Sequence, residues 1–90
     1  MGRTNDTYRN RLDSFIESFS PFRRALKNDE QDYLDGLWEK AHSFAYAGAY
    51  MNSTRPGLVA MMSMMVGIER DMKQMEERIE AIEEEIDVQG

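Results

Sequence analysis

Apolar residues along this chain recur at helical intervals. Tyr8, Leu12, Phe15, Ile16 and Phe19 stand at i, i+4, i+7, i+8 and i+11, one amphipathic stripe that predicts a first helix over residues 6–19. Asn5 or Asp6 is placed to accept from the free N–H groups of its first turn, and Ser20-Pro21 stops it, with Ser20 as a cap and proline opening the next helix. A second, bent helix is predicted over residues 21–52. It restarts near Asn28, where Asn28 and Gln31 have capping-box spacing and Asp29, Glu30 and Asp32 lie near the positive helix end. Its core face runs Leu34, Leu37, Trp38, Ala41, Phe44 and Ala45, and Ala41, Ala45 and Ala49, four apart, admit a close neighbour. The breaker-rich stretch Asn52-Ser53-Thr54-Arg55-Pro56-Gly57 then turns the chain into a third helix over residues 56–88, roughly 33 residues and ~50 Å long.

That third helix carries the strongest pattern. With Leu58 at position a of a heptad, the a residues are Leu58, Met65, Met72, Ile79 and Ile86, and the d residues are Met61, Ile68, Met75 and Ile82, all apolar. Such a stripe repeats every 3.5 residues and keeps one seam facing a partner helix. Before Ile68, Val59, Met62, Met64 and Val66 are apolar as well, so this half is expected to be surrounded by the first two helices. After Ile68 only the seam is apolar, and this half is expected to pair with another chain. The competing expectation is a seam folded back on its own chain, its glutamates facing Arg9, Arg11, Arg23 and Arg24.

The pattern therefore predicts an all-α protein: a body of two to three helices plus a long heptad helix that forms an oligomeric coiled coil or helical bundle. Twofold dimers are the commonest assembly, while Ile at both a and d in the last heptads tilts toward trimers or tetramers. The flanks lean slightly toward parallel pairing. A parallel pair sets Arg78 beside Glu83 but also Asp71 beside Glu76, whereas an antiparallel pair brings e-position glutamates together.

Composition narrows the reading. Ninety residues make one small domain, a size that often depends on association for stability. The chain has no cysteine, which removes disulfides and thiolate chemistry and fits a cytoplasmic setting. The start has no apolar leader core, and the longest apolar run, residues 57–68 with Ser63 inside it, is too short to span a bilayer. The formal net charge of -6 is uneven: residues 1–27 hold six Lys/Arg against three Asp/Glu, and residues 28–90 hold five against fourteen. The basic portion can meet phosphate, an acidic partner or the acidic helix of a second copy.

No catalytic, cofactor-binding or metal-ligating constellation is complete. Glu39 and His42 have the E-x-x-H spacing of di-iron sites, but in one copy only, with Glu69 the sole further donor of the right kind. Six methionines, Met61, Met62, Met64, Met65, Met72 and Met75, carry the soft sulfur that suits Cu(I), yet the seam already accounts for four of them. Flexible methionines also make an adaptable face for a protein partner. Arg3, Arg9 and Arg11, with Tyr8 among them, have the composition of a short phosphate-gripping arm. The glutamates of residues 76–85 match the solvated exterior of a coiled coil better than a mimic of nucleic-acid phosphates.

The run Gly2-Arg3-Thr4-Asn5 with Thr7-Tyr8-Arg9, followed by Pro21-Phe22-Arg23-Arg24-Ala25-Leu26, Asp29, Gln31 and Asp35, resembles an uncharacterised family of small archaeal proteins common in haloarchaea. The resemblance covers residues 2 to about 70, and departs at Asp6, where proline is expected, and in the Met-rich and Glu-rich end. It implies a helical archaeal cytoplasmic protein and carries no activity, ligand or functional residue. The expected function is a non-enzymatic, self-associating scaffold or adaptor, and the alternative is a nucleic-acid accessory protein that grips phosphate through Arg3, Arg9 and Arg11.

Overall fold

A computed structural model describes the backbone of residues 3–89 and the side chains of residues 8–88. It has five helices: α1 (Arg3–Glu17), α2 (Ser20–Ala25), α3 (Asn28–Ser43), α4 (Ala45–Ala49) and α5 (Pro56–Gln89), with no strand among the described residues. The all-α fold with a long C-terminal helix is as the periodicity predicts. α1 already begins at Arg3, and the side chains of Asn5 and Asp6, expected to cap it, lie outside the described residues.

The bent helix expected over residues 21–52 is three helices. Leu26 and Lys27 are extended (ψ 155° and 163°), which separates α2 from α3. The cap of α3 is one residue earlier than the Asn28–Gln31 spacing suggests: the Lys27 N–H donates to Glu30 Oε1 at 2.9 Å. Gln31 reaches backward instead, donating through Nε2 at 3.0 Å to the Arg23 carbonyl, which also accepts from the Leu26 N–H at 3.1 Å, and so ties α3 to the end of α2. Ser20 likewise stands inside α2, after Phe19 at the cap, and its hydroxyl donates to the Glu17 carbonyl at 2.7 Å. A second interruption falls at Phe44 (φ -107°, ψ 18°), whose carbonyl accepts from both Ala47 and Gly48 as α4 begins. No proline or glycine marks that break.

The turn into α5 is held by side chains. Asn52 takes φ 47°, a left-handed conformation that asparagine tolerates well. The Arg55 N–H donates to Ser53 Oγ at 2.9 Å, and Arg11 Nη1 crosses from α1 to the Ser53 carbonyl at 3.1 Å. Pro56 then opens α5, where its missing N–H costs nothing.

The core joins α1, α3, α4 and the first half of α5 around Tyr8, Leu12, Ala41, Ala45, Ala49, Val59, Ala60 and Met64. Phe15, Phe19 and Trp38 close one side, with Phe15 and Trp38 edge to face at 6.2 Å. Close approach depends on missing side chains. A Cβ on Gly48 would stand 2.8 Å from the Tyr8 ring, and one on Gly67 would stand 2.9 Å from the Lys40 stem. Arg23 and Asp35 tie α2 to α3 through two hydrogen bonds of 2.9 and 2.8 Å.

The molecule measures 56 × 36 × 16 Å, and α5, at 34 residues or about 51 Å, sets the long dimension. The last link between body and α5 is the Lys40–Asp71 pair at 2.9 Å. Every residue from 72 to 88 is exposed, so nearly five turns of α5 extend past the body with no intrachain cover.

Candidate functional site

α5 has two different faces. The one that meets the body is Val59, Ala60, Ser63, Met64 and Gly67, all buried and ending at half-buried Asp71. These residues recur three and four apart and so form one helix stripe, several of them small enough for another backbone to come close. The heptad seam lies on a different side. Leu58, Met61, Met65, Ile68, Met72, Met75, Ile79, Ile82 and Ile86 are all exposed, from 39% at Ile68 to 62% at Ile86. A fold-back of the seam onto its own chain is thus excluded in the monomer, and Arg23, expected to face its glutamates in that case, is bonded to Asp35.

One expectation for the Met-rich half is corrected. It is covered on one face only, because α1, α3 and α4 reach just that side of it, and Met61, Met62, Met65 and Val66 stay about half exposed. Met62 and Val66 instead line an open groove of about 560 Å³ together with Phe44, Tyr46, Met51 and Leu58. Periodicity along α5 did not reveal this groove, whose other wall is made by the unanticipated break at Phe44.

The electrostatics at the edge of this surface come from three residues. Asp71 accepts from Lys40 and, at 3.0 Å, from Arg70 Nε, and these bonds hold its carboxyl below the ordinary 3.8. Arg70 also lies over the Phe44 ring at 5.6 Å, a cation–π contact across from α5 to the α3–α4 break. Arg23 holds the Asp35 carboxyl low in the same way. In the core, burial raises the Tyr8 hydroxyl above 10.0, and neighbouring Ser63 offsets this only in part. The Tyr8 oxygen has no partner within hydrogen-bonding geometry, and the hydroxyl of neighbouring Ser63 donates to the Val59 carbonyl at 3.0 Å.

The other candidate residues are scattered. His42 Nδ1 faces the Trp38 carbonyl at 3.0 Å and Nε2 faces Asp13 Oδ1 at 3.1 Å, so neither ring nitrogen is free to join Glu39 at a metal. Among the described residues no three His, Asp or Glu side chains come together around a shared point. Met64 is packed in the core. Arg9 and Arg11 are exposed on α1, Arg11 engaged with the Ser53 carbonyl, and the Arg3 side chain lies outside the described residues. No described helix is long and apolar enough to cross a membrane.

No curated protein and no solved structure matches the chain. A family match runs over residues 1–90, past the point near residue 70 where the resemblance read from the sequence stops. This chain, with its exposed apolar seam, belongs to the family described as Domain of unknown function (DUF8156).

Proposed function

We propose that the protein is a non-enzymatic scaffold or adaptor that associates with a second copy of itself through the α5 seam. One observation carries the reading: nine of nine apolar heptad positions are exposed, while the fold packs the same helix through a different stripe. An apolar strip running the length of a ~51 Å helix is far more than a soluble monomer ordinarily leaves open, and a regular 3.5-residue repeat matches another helix of like pattern. A second copy supplies that pattern at once, and closed twofold pairing is the commonest outcome. Leu58, Met61, Met65 and Ile68 of the Met-rich half belong to this same surface, so that part of the adaptable face is filled by the partner copy. The family resemblance and the lack of cysteine support an archaeal, cytoplasmic setting.

Sedimentation equilibrium over a concentration series tests the reading directly. A dimer mass at micromolar concentration is expected, and a monomer that keeps its full helical content would refute it.

A further inference from the structure

The two halves of the α5 surface differ in charge, and that difference bears on how two copies run. Residues 56–68 carry no charged side chain, whereas residues 76–87 hold seven Asp/Glu against one Arg. Beside the start of α5 stand the exposed cations Arg55 and Arg11, the latter reaching the Ser53 carbonyl. One end of the seam is therefore flanked by positive charge and the other is strongly negative.

We infer, resting on the self-association proposed above, that the two copies run antiparallel, so that the Glu-rich half of each α5 covers the Met-rich half of the other. In this arrangement a positions meet d positions. Met72 faces the partner's Met75, Ile68 the partner's Ile79, Met65 the partner's Ile82 and Met61 the partner's Ile86, each occurring twice by symmetry. Eight of the nine seam residues of each chain are used. Asp87 then lies level with the partner's Ala60, about 8 Å along the axis from the partner's Arg55, within reach of a long side chain.

Parallel docking would align the two Glu-rich halves at the 8–10 Å spacing of packed helices, comparable to a screening length of ~8 Å at physiological salt. Glu76, Glu83 and Glu85, which flank the seam, would then face the partner's acidic strip most closely, and the outer carboxylates would add a weaker, screened repulsion. Flanking pairs weigh less. The parallel flank gains Arg78 beside the partner's Glu83, and the antiparallel flank sets Glu69 beside the partner's Glu76. Asp71 matters little in either, since Lys40 and Arg70 already engage it. These are a few exposed contacts, individually weak. The repulsion between two strips of seven carboxylates sums over many pairs and outweighs them, which reverses the slight lean toward parallel pairing drawn from flanking positions alone.

Spin labelling separates the outcomes, since the chain has no cysteine to interfere. Glu84 is exposed on the outer side of the seam, so Glu84→Cys carries a nitroxide without touching the interface. The antiparallel register puts the two labels roughly 30 Å apart or more, and a parallel pair puts them within about 20 Å. The long distance is expected from double electron–electron resonance. A short distance in a protein of dimer mass would overturn the orientation and leave self-association standing; no dipolar coupling in a protein of monomer mass would overturn both. Cysteine cross-linking gives an independent check. Met61→Cys mixed with Ile86→Cys should yield a heterologous disulfide while neither cross-links alone, and self-cross-linking of each variant would overturn the proposal.

Discussion

The seam is best tested where it is farthest from the body. Ile79 and Ile82 are 55% and 53% exposed in the monomer and lie beyond Asp71, the last residue of α5 that the body engages. Full burial of an isoleucine side chain is worth about 1.5–3 kcal/mol, so covering the exposed half gains about 1 kcal/mol per residue. Two positions in each of two chains make roughly 4 kcal/mol, and Ile79→Asp with Ile82→Asp removes this while forcing carboxylates to lose hydration without a partner. At 1.4 kcal/mol per decade, dimer dissociation should strengthen by about a thousandfold or more. Sedimentation velocity at micromolar protein should show the change from dimer to monomer. Far-ultraviolet circular dichroism should fall partway, because residues 72–88 then form an isolated helix close to the length at which helices are marginal in water. The near-ultraviolet signal of Trp38, packed in the body, should persist. An unchanged mass would refute the seam as the interface, and loss of the Trp38 signal would refute the independence of the body from the second half of α5.

Three further predictions concern the body. Gly48→Ala should destabilise it by about 1–2 kcal/mol, the overpacking of a Cβ against the Tyr8 ring exceeding the better helix propensity of alanine, whereas Gly36→Ala, with open space around its Cβ, should stabilise by about 0.5–1 kcal/mol; thermal shifts of the same sign would contradict the close α1–α4 approach. Tyr8→Phe removes a buried hydroxyl that has no partner and should leave the melting temperature unchanged or raised, and a clear drop would mean that Ser63 satisfies it. Asp35 and Asp71 have lowered folded-state pKa values, so their contribution is present above the ordinary 3.8 and is lost as pH falls through the lower folded values. Asp71→Asn should therefore lower stability at neutral pH and flatten the acid limb below about pH 4, where variant and parent converge, and an unchanged acid limb would discount the Lys40–Asp71–Arg70 cluster.

Much of the fold was legible in one dimension. The stripe from Tyr8 to Phe19, the stop near Pro21, the restart near Asn28 and the turn over residues 52–57 all have local causes in apolar spacing and breakers, although the caps of α2 and α3 fall one residue earlier than the side chains suggest, at Phe19 and Lys27. The nine-residue seam was legible for the same reason, since a heptad repeat depends only on residues along one helix. The break at Phe44 had no such cause, and neither did the reach of Gln31 back to α2.

What stayed hidden was which side of α5 the body would take. From Leu58 to Ile68 the helix is apolar nearly all round, so hydrophobic period does not choose among its faces. Size chooses. Ala60, Ser63 and Gly67 let α3 and α4 come close, with Gly67 lying on the Lys40 stem, but a small residue gains a role only when another helix is there to fill the space. The chain's own pattern thus specified a long helix with an apolar seam, through interactions within four residues. That the seam faces outward was settled by packing between elements distant in sequence, where the fit of surfaces outweighs periodicity.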